Sequence, residues 1–351
     1  MHILDDKVKQ NILDTEDMYH KIIHLPEHVI KAYKEAIPHK PDNFAKLDLT
    51  EIKRVVICGM GGSAISGDIA KAAFSEILPV EVIKDYKIPF IDENTLVCIL
   101  SYSGNTEETL SCLQQALGST KFVGVVTSGG RAEEVADGKF LWMELPGGYP
   151  PRSAIGYLFF TLLKLLENFD VIPNQVKVVN ATIASLIKKA GAITRNNSFE
   201  HNIAKNAAAK IQGKIPIIYS SNPRLGALAY RWKCQINENA KYPAFWHTFP
   251  EMNHNESEGW ESKGFDEKFI PIILNRMNEE EHYQTRIDAF KKIFLKIDVD
   301  FAEYFVEGNS IIEEIFSLIY LGDMISWYLA ILQNVNPTTI EFINFLKEEI
   351  S

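Results

Sequence analysis

The sequence predicts an α/β protein made of two tandem units, each a mostly parallel sheet flanked by helices. Three observations predict it. Short, continuous apolar runs alternate with helical stretches between residues 54 and 143. These runs lack the in–out alternation of a sheet with one wet face, so they read as strands covered by helices on both sides. The pattern then returns after residue 152, and 351 residues exceed the roughly 100–200 of one domain. Together they describe a doubly wound, flavodoxin-like sheet used twice.

Residues 1–50 are polar and read as two or three helical pieces broken near Pro26, Pro38 and Pro41. They are expected to pack on the two domains, 51–153 and 154–351, the second carrying the C-terminal helices. The first apolar run, Arg54-Val55-Val56-Ile57-Cys58, leads through glycines into a helix over 64–75. Val80-Glu81-Val82-Ile83 and Thr95-Leu96-Val97-Cys98-Ile99-Leu100 are the next strands, with a helix over 107–117. Phe122-Val123-Gly124-Val125-Val126 and Phe140-Leu141-Trp142-Met143 continue the series. After the turn-rich Pro146-Gly147-Gly148-Tyr149-Pro150-Pro151, a helix is expected over 152–166. The second series comprises Ile215-Pro216-Ile217-Ile218-Tyr219, Phe269-Ile270-Pro271-Ile272-Ile273-Leu274 and Phe301-Ala302-Glu303-Tyr304-Phe305-Val306. Pro216 and Pro271 suggest edges or strand starts, since proline cannot donate to a ladder. Helices over 310–333 and 338–350 close the chain.

Composition narrows the function classes. Lys and Arg total 36 against 46 Asp and Glu, a net charge of −10, which argues against nucleic acid or an anionic membrane as partner. The four cysteines, Cys58, Cys98, Cys112 and Cys234, have no C-x-x-C spacing, so neither a disulfide framework nor a zinc ribbon is expected. The N-terminus lacks a signal-peptide pattern. The apolar stretch over 154–166 is too short to span a bilayer and contains Lys164. A cytoplasmic location is expected.

Two strand-to-helix loops carry the chemistry. Gly59-Met60-Gly61-Gly62-Ser63-Ala64 allows close backbone approach and offers helix N-terminal N–H groups to an anion. It also fits the dinucleotide pattern G-x-G-x-x-A, with Asp85 as a ribose ligand, or it is a tight turn with no ligand. Ser101-Tyr102-Ser103-Gly104-Asn105-Thr106 sets three hydroxyl side chains at the end of a neighbouring strand. A compact phosphate monoester benefits from such a ring of donors more than a dinucleotide does, so the pair favours a phosphorylated small molecule.

These loops resemble the sugar isomerase (SIS) domain. With Pro151-Arg152-Ser153, Asn237-Glu238-Asn239-Ala240-Lys241 and Pro250-Glu251-Met252-Asn253-His254-Asn255, residues 50–351 are similar to the bifunctional phosphoglucose/phosphomannose isomerases. The resemblance implies two SIS domains per chain, a homodimer, and interconversion of fructose 6-phosphate with glucose 6-phosphate or mannose 6-phosphate, with no metal or nucleotide cofactor. It implies that Ser63, Ser101, Ser103 and Thr106 hold the sugar phosphate, with Gly61 and Gly62 giving backbone contacts. Arg152 would stabilise the enediolate and Glu238 would carry the proton between C1 and C2. His254, from the partner subunit, and Lys347 would assist ring opening. Thr338 or Thr339 would leave room for the mannose epimer.

That chemistry suits these residue types. A carboxylate can serve both sides of an enediolate when burial raises its pKa toward neutrality. An arginine stays charged in any site, and histidine relays protons near pH 7. Each residue also has an ordinary reading: Glu238 as a surface glutamate paired with Lys241, His254 as a solvated loop histidine, Arg152 as a turn cap. His20, His24 and His28 have metal-binding helical spacing, but Pro26 interrupts them and exposed histidines are expected. His247, Glu251, His254 and Glu256 form a zinc set on paper only. Tyr242, Phe245, Trp246 and Phe249 suggest core or dimer interface. The competing functions are a nicotinamide-dependent oxidoreductase, a sugar-phosphate sensor, and an isomerase of amino or heptose sugar phosphates.

Overall fold

The computed structural model describes residues 2–262, 264 and 267–350. The chain forms two compact units, one of residues His24–Ile183 and one combining Met1–Ile23 with Ala184–Ser351. The termini Met1 and Ser351 of the expected segments lie outside the described residues.

In the unit of residues 24–183, six strands form one sheet: β1 (Pro38–His39), β2 (Arg54–Cys58), β3 (Val80–Ile83), β4 (Thr95–Ser101), β5 (Val123–Thr127) and β6 (Leu141–Glu144). Their order is β1-β6-β5-β4-β2-β3. Only the two-residue β1 runs antiparallel to its neighbour. Every residue of β4 and β5 is buried, which is why these segments read as unbroken apolar runs. Helices Gly61–Phe74 and Glu107–Leu117 follow β2 and β4. The strand order reverses between β2 and β4, which creates a crevice at their carboxyl ends where such sheets bind ligands.

Much of the first fifty residues is helical in short pieces, and as expected the helix Met18–Ile23 ends just before Pro26. Pro26 opens the helix Leu25–Ile30, a position where its missing N–H costs nothing. His28, expected to be exposed, is buried instead. Its ring stacks on Tyr157 at 4.4 Å and its Nδ1 has no hydrogen-bond partner among the described residues. Burial, reinforced by the charges of His24 and Lys31, pushes its pKa down to about 3.

The second unit has four parallel strands, β7 (Ile215–Ser220), β8 (Phe245–Thr248), β9 (Phe269–Arg276) and β10 (Ala302–Val306), in the order β10-β9-β7-β8. Pro216 and Pro271 lie near the starts of the two interior strands, so of the two expected places it is the strand start and not the edge. Ile215 N–H donates to the Lys268 carbonyl just before β9 and Ser221 N–H to the Leu274 carbonyl of β9, so by alternation Pro216 faces β8, whose ladder begins one residue later, opposite Ile217. Pro271 likewise faces β10, whose ladder begins opposite Ile272. Each missing N–H therefore points past the end of a shorter neighbour. The edge strand β8 gives little sequence signal because Phe245 and Trp246 are exposed. Of the aromatic cluster, Phe249 belongs to the core, against Tyr219 and Phe290.

The helix Ile311–Gln333 is long and apolar enough to cross a membrane by length and composition, but its most apolar window is 94% buried. It is the core helix of its unit. Against it packs the helix Gly226–Ala240. Arg231 pairs with Asp323 at 2.6 Å, Trp232 Nε1 donates to the Leu318 carbonyl at 2.8 Å, and Asn239 Nδ2 donates to Ser326 Oγ at 2.9 Å. Burial raises the Asp323 pKa while Arg231 opposes the rise. A charge pair this deep costs little while intact and much when halved.

The depressed His28 pKa means that the unfolded chain takes up a proton near pH 6.5 and the folded chain only near pH 3. The stability it accounts for is present above pH 6.5 and is lost as pH falls through that window, with a slope of at most about 1.4 kcal/mol per pH unit. Urea unfolding between about pH 7.5 and 4.5 should show this slope in the wild type and a flatter one in His28→Phe.

Candidate active site

The two loops singled out from sequence end adjacent strands, with Cys58 of β2 opposite Ile99 of β4. Neither helix that follows is capped by a side chain. Met60, at the N-cap of Gly61–Phe74, supplies no acceptor. Thr106, at the N-cap of Glu107–Leu117, makes no cap bond either; its hydroxyl accepts from Ser101 Oγ at 3.2 Å. A threonine in that position ordinarily caps its own helix. With caps withheld, first-turn N–H groups of both helices are available to an outside anion, and both positive helix ends favour one.

The side chains grade from buried to open. Ser63 and Ser101 are buried, Thr106 is intermediate and Ser103 is exposed. Ser103 Oγ accepts from Asn105 N–H at 3.3 Å. Gly104 has φ +69°, and a Cβ there would fall 1.7 Å from the Gly129 carbonyl oxygen. Only glycine lets this loop close on its neighbour.

Arg152 lies in a separate 3-10 turn, Pro151–Ser153, while the helix expected to include it runs Ile155–Asn168. Pro150 and Pro151 set the turn, and Ser153 Oγ closes it onto the Pro150 carbonyl at 2.9 Å. The turn rests against the first loop: a Cβ on Gly62 would lie 2.9 Å from the Pro151 carbonyl oxygen and 3.7 Å from Arg152 Cα. Arg152 itself is buried. The unit of residues 24–183 thus gathers Gly61, Gly62, Ser63, Ser101, Ser103, Thr106 and Arg152 around one switch point.

Glu238, His254 and Lys347 belong to the other unit. Glu238, half-buried near the end of Gly226–Ala240, lines a cleft of about 740 Å³ with Lys241, Tyr242, Asn336 and Thr339. Lys241 Nζ donates to the backbone carbonyls of Glu238 and Asn239. Thr338 is buried. The cleft also touches the first turn of helix Glu341–Ile350, which carries Lys347 further along on its exposed length. His254 is exposed at the end of the short turn Glu251–His254. In the chain, Glu238 lies before β8 and His254 after it, on different elements.

The rival constellations disperse. Asp85 is exposed, and its carboxylate accepts from Tyr86 N–H at 2.6 Å. Glu256 accepts from the Tyr219 hydroxyl at 2.5 Å, and His247 Nδ1 accepts from Thr248 N–H. Among the described residues, no group of three or more His, Cys, Asp or Glu side chains is arranged to hold a metal. The second sheet has a further feature at the loop after β7. That sheet has its own strand-order reversal, between β7 and β9, and there Glu279 accepts from Ser221 Oγ at 2.5 Å and Asn222 Nδ2 at 2.6 Å. The loop Ser220-Ser221-Asn222 resembles the first unit's hydroxyl-rich loop, but it holds a carboxylate of its own chain.

Residues 48–128 match the SIS domain family, and residues 200–350 match the bacterial phospho-glucose isomerase C-terminal SIS domain. A bifunctional phosphoglucose/phosphomannose isomerase from Caldicellulosiruptor bescii is 35% identical over 95% of this chain and 99% of its own. The chain belongs to the bifunctional phosphoglucose/phosphomannose isomerase family. Its relative of that name from Thermoplasma acidophilum is 37% identical, covering 85% of this chain and 89% of the relative. A D-glucosamine-6-phosphate 4-epimerase from Sulfolobus acidocaldarius is 32% identical, covering 84% and 89%. Among solved structures, a hypothetical protein from Thermus thermophilus superposes with a TM-score of 0.73 at 16% identity, over 95% of this chain and 90% of that one. At that identity the likeness concerns the fold alone.

The contact between Gly62 and Pro151 gives a direct test of how tightly the Arg152 turn is set. In this family member, Gly62→Ala should lower kcat at least about tenfold by displacing the turn, with a stability loss of about 1–3 kcal/mol. Steady-state kinetics and urea unfolding of the same variant check both.

Proposed function

We propose that this enzyme interconverts fructose 6-phosphate with glucose 6-phosphate and mannose 6-phosphate by proton transfer through an enediolate. The switch-point crevice carries the reading: two helix N-termini without side-chain caps, a set of serine and threonine hydroxyls, and a buried arginine turn packed on the first loop. That combination suits a phosphate monoester attached to a group that develops negative charge. Family membership at 34–37% identity to isomerases of both sugars supports the substrate pair.

In the forward direction Glu238 removes the C2 proton of the open-chain aldose, and the electron pair forms the C1–C2 double bond of the enediolate. Arg152 stabilises the oxyanion. Glu238 returns the proton at C1, while the proton of the C2 hydroxyl is lost as the C2 carbonyl forms and O1 is protonated. His254 and Lys347 promote the preceding ring opening. In this reading the enzyme is a homodimer and the partner copy supplies His254. Thr339, on the Glu238 cleft, is the residue that leaves room for the mannose epimer.

The test is a coupled assay of the purified protein with chelator present, offering glucose 6-phosphate, mannose 6-phosphate and glucosamine 6-phosphate separately. Fructose 6-phosphate from both neutral sugars is expected. A C4-epimerised amino sugar with no ketose from either hexose phosphate would overturn the reading and favour the epimerase chemistry of the Sulfolobus relative. Glu238→Gln should lower kcat about 10²-fold or more with KM little changed. Mixing it with an inactive His254→Ala preparation, after dissociation and reassembly, should restore part of the activity.

A further inference from the structure

From the geometry of the Ser101–Thr106 loop we infer that Tyr102 is a positioning residue, whose hydroxyl ties that loop to the Arg152 turn. The inference rests on the oxyanion role proposed for Arg152.

Tyr102 stands between the two serines of the loop, yet it is buried. Its backbone is fixed from behind, because its carbonyl accepts from Ser128 N–H at 3.0 Å and from Ser128 Oγ at 2.5 Å. Its phenol reaches forward across the turn-rich segment over 146–150. There it donates to the Pro146 carbonyl at 2.6 Å and accepts from Tyr149 N–H at 3.0 Å. One hydroxyl thus closes a segment that contains Gly147 and Gly148, the latter at φ +86°. Without such a clasp, that segment has the conformational freedom to swing. Burial raises the Tyr102 pKa, which keeps the phenol protonated and able to act as donor and acceptor together.

The chain of contacts continues to the arginine. The Tyr149 ring lies 5.1 Å from His28 and 5.3 Å from Tyr157 by ring centroids. The next carbonyl, of Pro150, accepts from both Ser153 N–H and Ser153 Oγ. Arg152 is therefore fixed from two directions, by Gly62 of the first loop and through Tyr102 of the second. A loop that grips phosphate and a turn that presents a guanidinium are held in one frame. Small misplacements of a charge-stabilising group are costly to the chemical step, whereas the phosphate donors themselves do not involve the phenol.

The experiment compares wild type, Tyr102→Phe, Arg152→Lys and the double variant in steady-state isomerisation. Tyr102→Phe keeps the buried ring and removes only the clasp. It should lower kcat at least about fivefold with KM changed less than about twofold, and in the Arg152→Lys background it should cost less than about twofold more. Wild-type kinetics in Tyr102→Phe, a KM rise with kcat retained, or a full multiplicative loss in the double variant each overturns the positioning role while leaving that of Arg152 intact. A wild-type kcat in Arg152→Lys overturns both.

Discussion

The parallel pairing of β2 with β4 is the constraint on which the candidate site depends. It sets Cys58 opposite Ile99, and because strand order reverses there, the helices that follow diverge and leave a crevice between their amino ends. The loops that line it cannot be bulky. A Cβ on Gly62 would lie 2.9 Å from the Pro151 carbonyl oxygen, and one on Gly104 would fall 1.7 Å from that of Gly129. Backbone N–H groups and helix ends favour an anion while carrying no net charge. An acidic chain of net charge −10 can therefore present a local site for an anion.

The second sheet shows what the same topology does under a different sequence. Its reversal between β7 and β9 also ends in a serine-rich loop, but Ser221 and Asn222 are engaged by the carboxylate of Glu279. One switch point is open in its donor chemistry and the other is satisfied internally. The second unit instead fixes a helix. Arg231, Trp232 and Asn239 bind the helix Gly226–Ala240 to the buried helix Ile311–Gln333. Glu238, one residue from Asn239, is thereby carried on a rigid element, as a residue requires if it is to hold a defined geometry.

How much of this was legible in the sequence follows from burial. Strands β4, β5 and β9 announced themselves because both faces are covered and only apolar residues fit. β8 did not, because a four-residue edge strand with exposed Phe245 and Trp246 carries no such pattern. The two prolines lie near strand starts, one of the two places they suggest; that the strands are interior ones depends on where the neighbouring strands begin, which one segment cannot reveal. His28 was misjudged because its partners, Tyr149 and Tyr157, are far along the chain. The glycine and serine loops stand out as candidate anion sites from local chemistry alone. Glu238, His254 and Lys347 do not; they emerged from motif resemblance, since a helix glutamate and a loop histidine look ordinary by themselves. The clasp of Tyr102 was invisible, because nothing in Ser101-Tyr102-Ser103 indicates where the phenol points.

Isomerising glucose 6-phosphate in D2O, and following C1 and C2 by NMR, tests the proton-transfer chemistry most directly. Transfer through a carboxylate predicts deuterium at C2 of the recovered aldose and at C1 of fructose 6-phosphate, accumulating over repeated turnovers. Sustained interconversion with no deuterium at either carbon would contradict it, because the hydrogen would then have moved without passing through an exchangeable acid.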